Sequence, residues 1–219
     1  MVTRAMVVVA GGTSIRFGSD KLAAEIDGRP LLAHTVEAVV SSVGRCVLVG
    51  HPDALEWLGS LDLGVEVVPG GANRTSSETA GLAALGEPAE LIGIHDAARP
   101  LVTRELIEAV FRAASETGGA VPVIPAEGLV IGRSTFRPVE GLQLAQTPQV
   151  FRGPELMAAY VRAAQAGFDG RDTAEVVERF GNLSIAAVPG DPGNLKVTYP
   201  EDLEEVSRRL RALSRNRPR

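Results

Sequence analysis

Short runs of consecutive apolar residues, rich in valine and isoleucine, recur along the first half of the chain at 5–10, 45–49, 65–68, 91–94 and 120–124. Runs that are apolar at nearly every position suit strands of a parallel sheet covered on both faces, whereas a sheet wet on one side would alternate apolar with polar. Between them the apolar positions recur at helical spacing, over 31–40 behind Pro30, 52–58, 77–85 and 103–116. The last of these opens on Thr103 as N-cap, with Glu105 in its first turn. Strand followed by helix, repeated, predicts βαβ units and hence an open, doubly wound, mostly parallel α/β sheet of the Rossmann-like type. In such a sheet ligands bind beyond the carboxyl ends of the strands.

Residues 126–146 break the rhythm, with Gly128, Gly132, Pro138 and Gly141 spaced among short apolar pieces. That pattern predicts a projecting β-hairpin arm on a single domain spanning 1–219, not a second domain. Helices follow at 154–165 and 172–180, a strand at 184–188, and a closing amphipathic helix at 200–213. The closing helix carries Glu201, Asp202, Glu204 and Glu205 in its first turns, where the helix dipole favours negative charge. Residues 211–219 form a basic tail expected to be a frayed terminus.

Composition narrows the function classes. The chain has 219 residues, 45% hydrophobic and 22% charged, the balance of a globular protein with a core. With 22 Lys and Arg against 27 Asp and Glu, the formal charge of −5 opposes binding to nucleic acid or an anionic membrane. An anion site must therefore be local. Cys46 is the one cysteine, which leaves no intrachain disulfide or zinc-ligand spacing and suits a reducing, cytoplasmic setting. The apolar run at the start passes directly into Gly11-Gly12, without a cleavable small-residue site or a membrane-length span, so a strand is expected and not a signal peptide.

Chemistry is expected in two loops. The first strand runs into Ala10-Gly11-Gly12-Thr13-Ser14-Ile15-Arg16-Phe17-Gly18-Ser19-Asp20-Lys21. Glycines let backbone N–H groups approach phosphate oxygens, and Arg16 and Lys21 supply neutralising charge. The loop matches neither a dinucleotide fingerprint nor a Walker motif, and taken alone it is equally compatible with an ordinary strand-to-helix turn carrying two solvated cations. The fourth strand ends in His95-Asp96-Ala97-Ala98-Arg99-Pro100, which puts a carboxylate at the carboxyl edge of the sheet among small side chains. A single carboxylate there suffices for Mg²⁺, which completes its shell with phosphate oxygens and water. His95 lacks a histidine at ligand spacing and is expected to be a hydrogen-bonded structural residue.

The segments Gly70-Gly71-Ala72-Asn73-Arg74-Thr75-Ser76-Ser77, His95 to Pro100, Thr147-Pro148-Gln149 and Asn194 to Asp202 occur in an order that resembles the 2-C-methyl-D-erythritol 4-phosphate cytidylyltransferase family over nearly the whole chain. The resemblance implies a nucleotidyltransferase fold, an arm exchanged in a homodimer, and transfer of a cytidylyl group from CTP to a polyol phosphate with release of pyrophosphate. It implies that Ala10, Gly11 and Gly12 wrap the triphosphate. Arg16, Lys21 and Lys196 would stabilise the α-phosphate and leaving group, and Asp96 would hold Mg²⁺. Gly70, Gly71, Arg74 and Ser77 would form the pyrimidine pocket, with Ala97 beside the nucleotide. Thr147 and Asp172 would lie on the acceptor side, with Arg137 as the expected substitute for an arm arginine. A phosphate monoester has a second pKa of about 6, so the attacking oxygen is ionised near neutrality and no general base is required. The demand falls on alignment and charge neutralisation.

Three departures set this chain apart. The first loop is short, with Asp20 before Lys21 where the family has proline, and is similar there to molybdenum-cofactor guanylyltransferases. The arm opens on Ala126-Glu127-Gly128-Leu129-Val130, without the hydroxyl and cation the family carries. Val139 stands in place of an arginine, leaving Arg137 or Arg133 as substitutes. Nucleotide handling is thus expected to be intact and acceptor recognition altered. Methylerythritol phosphate is the expected acceptor. Ribitol 5-phosphate, a guanylyltransferase activity and a catalytically weak nucleotide-binding paralogue are the alternatives.

Overall fold

The structure, a computed structural model, describes residues 2–11, 17, 20–126, 130–131, 137–138 and 140–215. In chain order the elements begin with β1 (Arg4–Ala10), a hairpin of β2 (Glu25–Ile26) and β3 (Arg29–Pro30), α1 (Leu31–Val40), β4 (Arg45–Gly50), α2 (Leu55–Ser60) and β5 (Glu66–Pro69). Then come α3 (Arg74–Ala84), β6 (Leu91–Asp96), α4 (Arg104–Thr117), β7 (Gly118–Pro125), β8 (Val130–Ile131), β9 (Arg137–Pro138), β10 (Gln143–Ala145) and β11 (Gln149–Arg152). The chain closes with α5 (Gly153–Gln165), α6 (Thr173–Phe180), β12 (Ser184–Pro189) and α7 (Pro200–Arg215).

Strand β1 is an interior strand of the sheet, parallel to β4 on one side and β6 on the other, with Val7 opposite Val47 and Ile94. The sheet order is β10-β7-β11-β6-β1-β4-β5, with β12 parallel to the outer side of β7. The strands alternate their side chains between two layers. Met6 and Val8 pack with Leu32 and Val36 of α1 and with Ile107, Val110 and Phe111 of α4. Ala5 and Val7 face the other way, onto Leu82 of α3, Leu156 and Tyr160 of α5, and Val176 of α6. Gly81 brings α3 close to the sheet, since a Cβ there would sit 2.4 Å from Val7 and 2.6 Å from Val49. The mostly parallel, doubly wound α/β sheet expected from the apolar runs is the one observed.

Four local elements depart from the expected pattern. One is the tail expected to fray from 211: α7 continues to Arg215, with Arg211 paired to Asp27. Helix α3 begins at Arg74, earlier than the apolar period indicates, because Asn73 and Ser76 form a capping box that satisfies its first backbone donors. The helix expected over 52–58 is a 3₁₀ turn, Pro52–Ala54, leading into α2. Strand β11, which the apolar pattern does not predict, inserts antiparallel between β6 and β7, pairing Gln149 with Ile94 and Val150 with Gly93 and Ala120. Within the segment expected to form the arm, β8 pairs with β9, and β10 returns antiparallel along β7. The turn between β2 and β3 has Asp27 and Gly28 both at positive φ, the Asp-Gly hairpin turn that chain twist favours.

Candidate active site

The carboxyl ends of β1 and β6 and the start of α3 enclose a cleft of about 310 Å³. Ala10, Gly11, Lys21, Gly71, Arg74, Ser77, Asp96, Ala97 and Lys196 all line it. The sheet itself delivers Asp96: it is the last residue of β6 and is 6% exposed. Its backbone N–H donates to Thr147 Oγ1 at 3.0 Å.

Three cations converge on that carboxylate. Arg74 donates from Nη1 to Asp96 Oδ1 at 2.9 Å. Lys196 Nζ lies 2.8 Å from Oδ2, and Arg99 Nε donates to Oδ2 at 3.4 Å. Burial alone would raise the Asp96 pKa, but the charges of Arg74, Lys196 and Arg99 outweigh it and hold the carboxyl well below its ordinary value. Asp96 is thus an ionised, nearly buried anion facing the cleft. The same burial pulls Arg99 downward, against the attraction of Asp96.

Behind Asp96 a polar network fixes the loops. Thr147 Oγ1, having accepted from Asp96, can donate to His95 Nδ1 at 3.1 Å, which leaves His95 Nε2–H to donate to the Arg99 carbonyl at 3.2 Å. Only the neutral imidazole satisfies that chain, and burial accordingly lowers the His95 pKa to about 4. His95 is therefore a satisfied structural residue, as its isolation from other histidines suggested. Asn194 Nδ2 donates to the Thr147 carbonyl at 2.9 Å, and the Asn194 carbonyl accepts from Arg99 Nη1 at 2.8 Å. Gln146 clamps the same loop, donating to the Asp191 carbonyl at 2.8 Å and accepting from the Asp191 N–H at 3.1 Å. These bonds, with Val197 N–H donating to the Ala98 carbonyl at 2.8 Å, set Lys196 over Asp96. Lys21 reaches the same strip, donating to the Val197 carbonyl at 3.1 Å.

The glycine turn beside α3 is shaped by contact with Ser77. A Cβ on Gly70 would lie 2.8 Å from Ser77 Oγ, and one on Gly11 would lie 3.3 Å from it. Gly71 N–H donates to Ser77 Oγ at 3.1 Å. Bare backbone from two loops is thus packed around one hydroxyl at the rim of the cleft.

The structure therefore brings Ala10, Gly11, Lys21, Gly70, Gly71, Arg74, Ser77, Asp96, Ala97 and Lys196 to one place. Gly12 and Arg16 lie outside the described residues, as do Gly128, Arg133 and Val139 in the arm. For Arg137 the structure gives the backbone pairing with Ile131. Thr147 is 3% exposed behind Asp96. Asp172 is the N-cap of α6, accepting from Glu175 N–H at 2.9 Å and from Gln149 Nε2 at 3.2 Å. Among the described residues no group of three or more His, Cys, Asp or Glu could hold a metal ion unaided. Reading the residues one by one does not single out Arg99 or Asn194, which Asp96 and its loops depend on. It also misses Glu78, Tyr160 and Thr173, a buried set behind Arg74. Arg99 stands in the same motif as Asp96 and Asn194 in that of Lys196, and Glu78 lies at the helical i+4 spacing from Arg74, so these three could have been found; no spacing connects Tyr160 and Thr173 to them.

Known proteins resemble this chain in sequence and fold. The family model described as 2-C-methyl-D-erythritol 4-phosphate cytidylyltransferase matches residues 4–211. The enzyme of that name from Cereibacter sphaeroides is 40% identical, over 95% of this chain and 97% of its own length. The one from Solibacter usitatus is 34% identical, over 91% of this chain and 92% of its own. Among solved structures, 2-C-methyl-D-erythritol 4-phosphate cytidylyltransferase from Thermus thermophilus superposes with a TM-score of 0.81 at 30% identity, covering 94% of this chain and 98% of that one. With a family model spanning nearly the whole chain and relatives of matching length, this chain belongs to the 2-C-methyl-D-erythritol 4-phosphate cytidylyltransferase family.

Proposed function

We propose that this chain is a nucleotidyltransferase that moves the cytidylyl group of CTP onto 2-C-methyl-D-erythritol 4-phosphate, giving the CDP-linked product and pyrophosphate, a step toward isoprenoid precursors. The observation that carries the reading is the convergence of Arg74 and Lys196 on Asp96, at the rim of a glycine-walled cleft that Lys21 also lines. An incoming triphosphate offers Lys196 and Lys21 oxygens that compete with their present partners, Asp96 and the Val197 carbonyl. Transfer of the α-phosphorus to the acceptor's phosphate oxygen adds negative charge at the reacting centre and on the departing pyrophosphate. Cations already fixed at that spot stabilise the transition state without reorganising. In this reading Lys21, Lys196 and Arg16 carry that charge, Ala10, Gly11 and Gly12 offer backbone donors, and Gly70, Gly71, Arg74 and Ser77 seat the base and ribose beside Ala97.

Asp96 suits a divalent cation delivered with the nucleotide: it is a single ionised carboxylate on the cleft, and Mg²⁺ needs only one or two carboxylates beside phosphate oxygens. Bound there, Mg²⁺ would supply charge neutralisation between the phosphates. On the acceptor side we assign Arg137, Asp172 and Thr147, the last acting through its hold on Asp96 and the base of the arm. We read the arm, residues 126–146, as the contact of a homodimer, on one domain in the cytoplasm. No helix among the described residues is long and apolar enough to cross a membrane. Mass identification of the product from CTP and methylerythritol phosphate tests the reading. A CDP-methylerythritol mass supports it, and a CDP-ribitol or GDP-linked product formed in its place would replace it.

A further inference from the structure

Arg74 does not stand alone against Asp96. One turn along α3, Glu78 is fully buried, and its Oε1 lies 2.8 Å from Arg74 Nε. Two hydroxyls from other elements hold this carboxylate: Thr173 Oγ1 of α6 donates to Oε1 at 3.1 Å, and the Tyr160 hydroxyl of α5 donates to Oε2. Thr173 and Tyr160 are themselves buried. Three helices thus meet on one carboxyl group. Burial pushes its pKa up, and the charge of Arg74, its only cationic partner among the described residues, together with the two hydroxyl donors favours the ionised form.

The guanidinium is consequently shared between two carboxylates. Asp96 takes only Nη1, through Oδ1, and its Oδ2 is left to Lys196 and Arg99. An arginine free to choose would grip a carboxylate with two parallel N–H donors. Glu78 attracts the Nε edge by charge, without a hydrogen bond there, and so competes with Asp96 for the guanidinium. Nε and Nη2 are both buried with no hydrogen-bond partner among the described residues, Nε being matched to Glu78 by charge at 2.8 Å and not by a hydrogen bond, and the Arg74 side chain lines the cleft. A buried donor left unpaired costs free energy unless a ligand completes it.

We propose that Glu78 is a positioning residue for nucleotide binding: locked by Tyr160 and Thr173, it holds the Arg74 guanidinium so that one amine engages Asp96 and another is presented to the nucleotide. The inference rests on the cytidylyltransferase reading of the cleft. It predicts that the Glu78 charge matters to CTP only through Arg74, and that the acceptor does not sense it.

The test is a double-mutant cycle read by calorimetric CTP binding, with acceptor KM measured alongside. Glu78→Gln keeps the volume and an oxygen that can accept from Tyr160 or Thr173, but removes the charge. CTP affinity should fall about tenfold or more, with acceptor KM unchanged. In an Arg74→Gln background the same substitution should produce no further loss. Tyr160→Phe loosens the anchor and keeps the ring; it should weaken CTP binding to a smaller extent, again only while Arg74 is present, and it serves where Glu78→Gln does not fold. Equal losses with and without Arg74 would show that Glu78 merely supports the fold and would overturn the inference, as would unchanged CTP affinity in both variants. A wild type that binds no CTP would overturn the reading of the cleft and the inference with it, an outcome distinct from an additive cycle on a CTP-binding wild type.

Discussion

Replacing Asp96 with Asn removes one charge and almost no volume, at the point where three cations meet. Arg74 and Arg99 are the partners that count for stability, since their side chains are 23% and 11% exposed. Lys196 is 38% exposed, and water discounts its share. Removing one member of a buried ion pair typically costs 3–5 kcal/mol, because the surviving charge is left uncompensated. The Asn oxygen still accepts one hydrogen bond, which places this substitution near about 3 kcal/mol. For a chain of this length that corresponds to a fall of about 6–12 °C in melting temperature. The sign with pH follows from the direction of the shift. Because the folded-state pKa of Asp96 is depressed, its contribution is complete above the unfolded-state value near 3.8 and disappears only as pH falls through the lower folded-state value. The difference between wild type and variant should therefore be the same at pH 7 and pH 5. A triphosphate places negative charge where the carboxylate was, so metal-free CTP should restore more melting temperature to the variant than it adds to the wild type. Calorimetric melts with and without CTP provide the measurement. A variant that melts within about 2 °C of the wild type would refute the uncompensated-cation account.

His95 has its pKa lowered from 6.5 to about 4, so the unfolded chain takes up a proton there before the folded one does. Wild-type stability should decline as pH falls from 6.5 toward 4, and His95→Asn should flatten that slope in urea titrations run at several pH values. Lys21→Ala and Arg16→Ala should each lower turnover on the order of 100-fold or more while weakening CTP binding far less, because their charge meets charge that develops in the transition state. Equal losses in turnover and binding would assign them to ground-state affinity instead. In the arm, Arg137→Ala or Arg133→Ala should raise the acceptor KM and leave the CTP Kd alone, arginine being suited to phosphate. A normal acceptor KM in both variants would remove the arm from phosphate recognition.

Much of the fold was legible because the signals were local. Helix α1 runs over the ten residues its apolar period marks out, and Thr103 caps α4 as its position suggested. The start of α3 was not visible in the apolar pattern, since Asn73 and Ser76 stabilise a polar first turn. That offset matters, because it places Arg74 and Glu78 one turn apart on a single face. Strand β11 is four residues long and has polar ends; its strand character comes from the slot between β6 and β7, which local propensity does not encode. At the site, Asp96 was readable from a carboxylate ending an apolar run. Its partners Arg74 and Lys196 lie 22 and about 100 positions away and were identified by resemblance in motif, not by spacing. Tyr160 and Thr173 carry no motif, and only the packing of α3, α5 and α6 brings them onto Glu78.

In the proposed function, a cleft built around Asp96, Lys196 and Arg74 runs cytidylyl transfer to methylerythritol phosphate despite an arm lacking the family's usual hydroxyl and cation. Pyrophosphate release, monitored with CTP or GTP against methylerythritol phosphate and ribitol 5-phosphate in the presence of Mg²⁺, tests it most directly. The account predicts release with CTP and methylerythritol phosphate together, exceeding every other pairing. Faster release with ribitol 5-phosphate or with GTP, or nucleotide binding without any release, would contradict it.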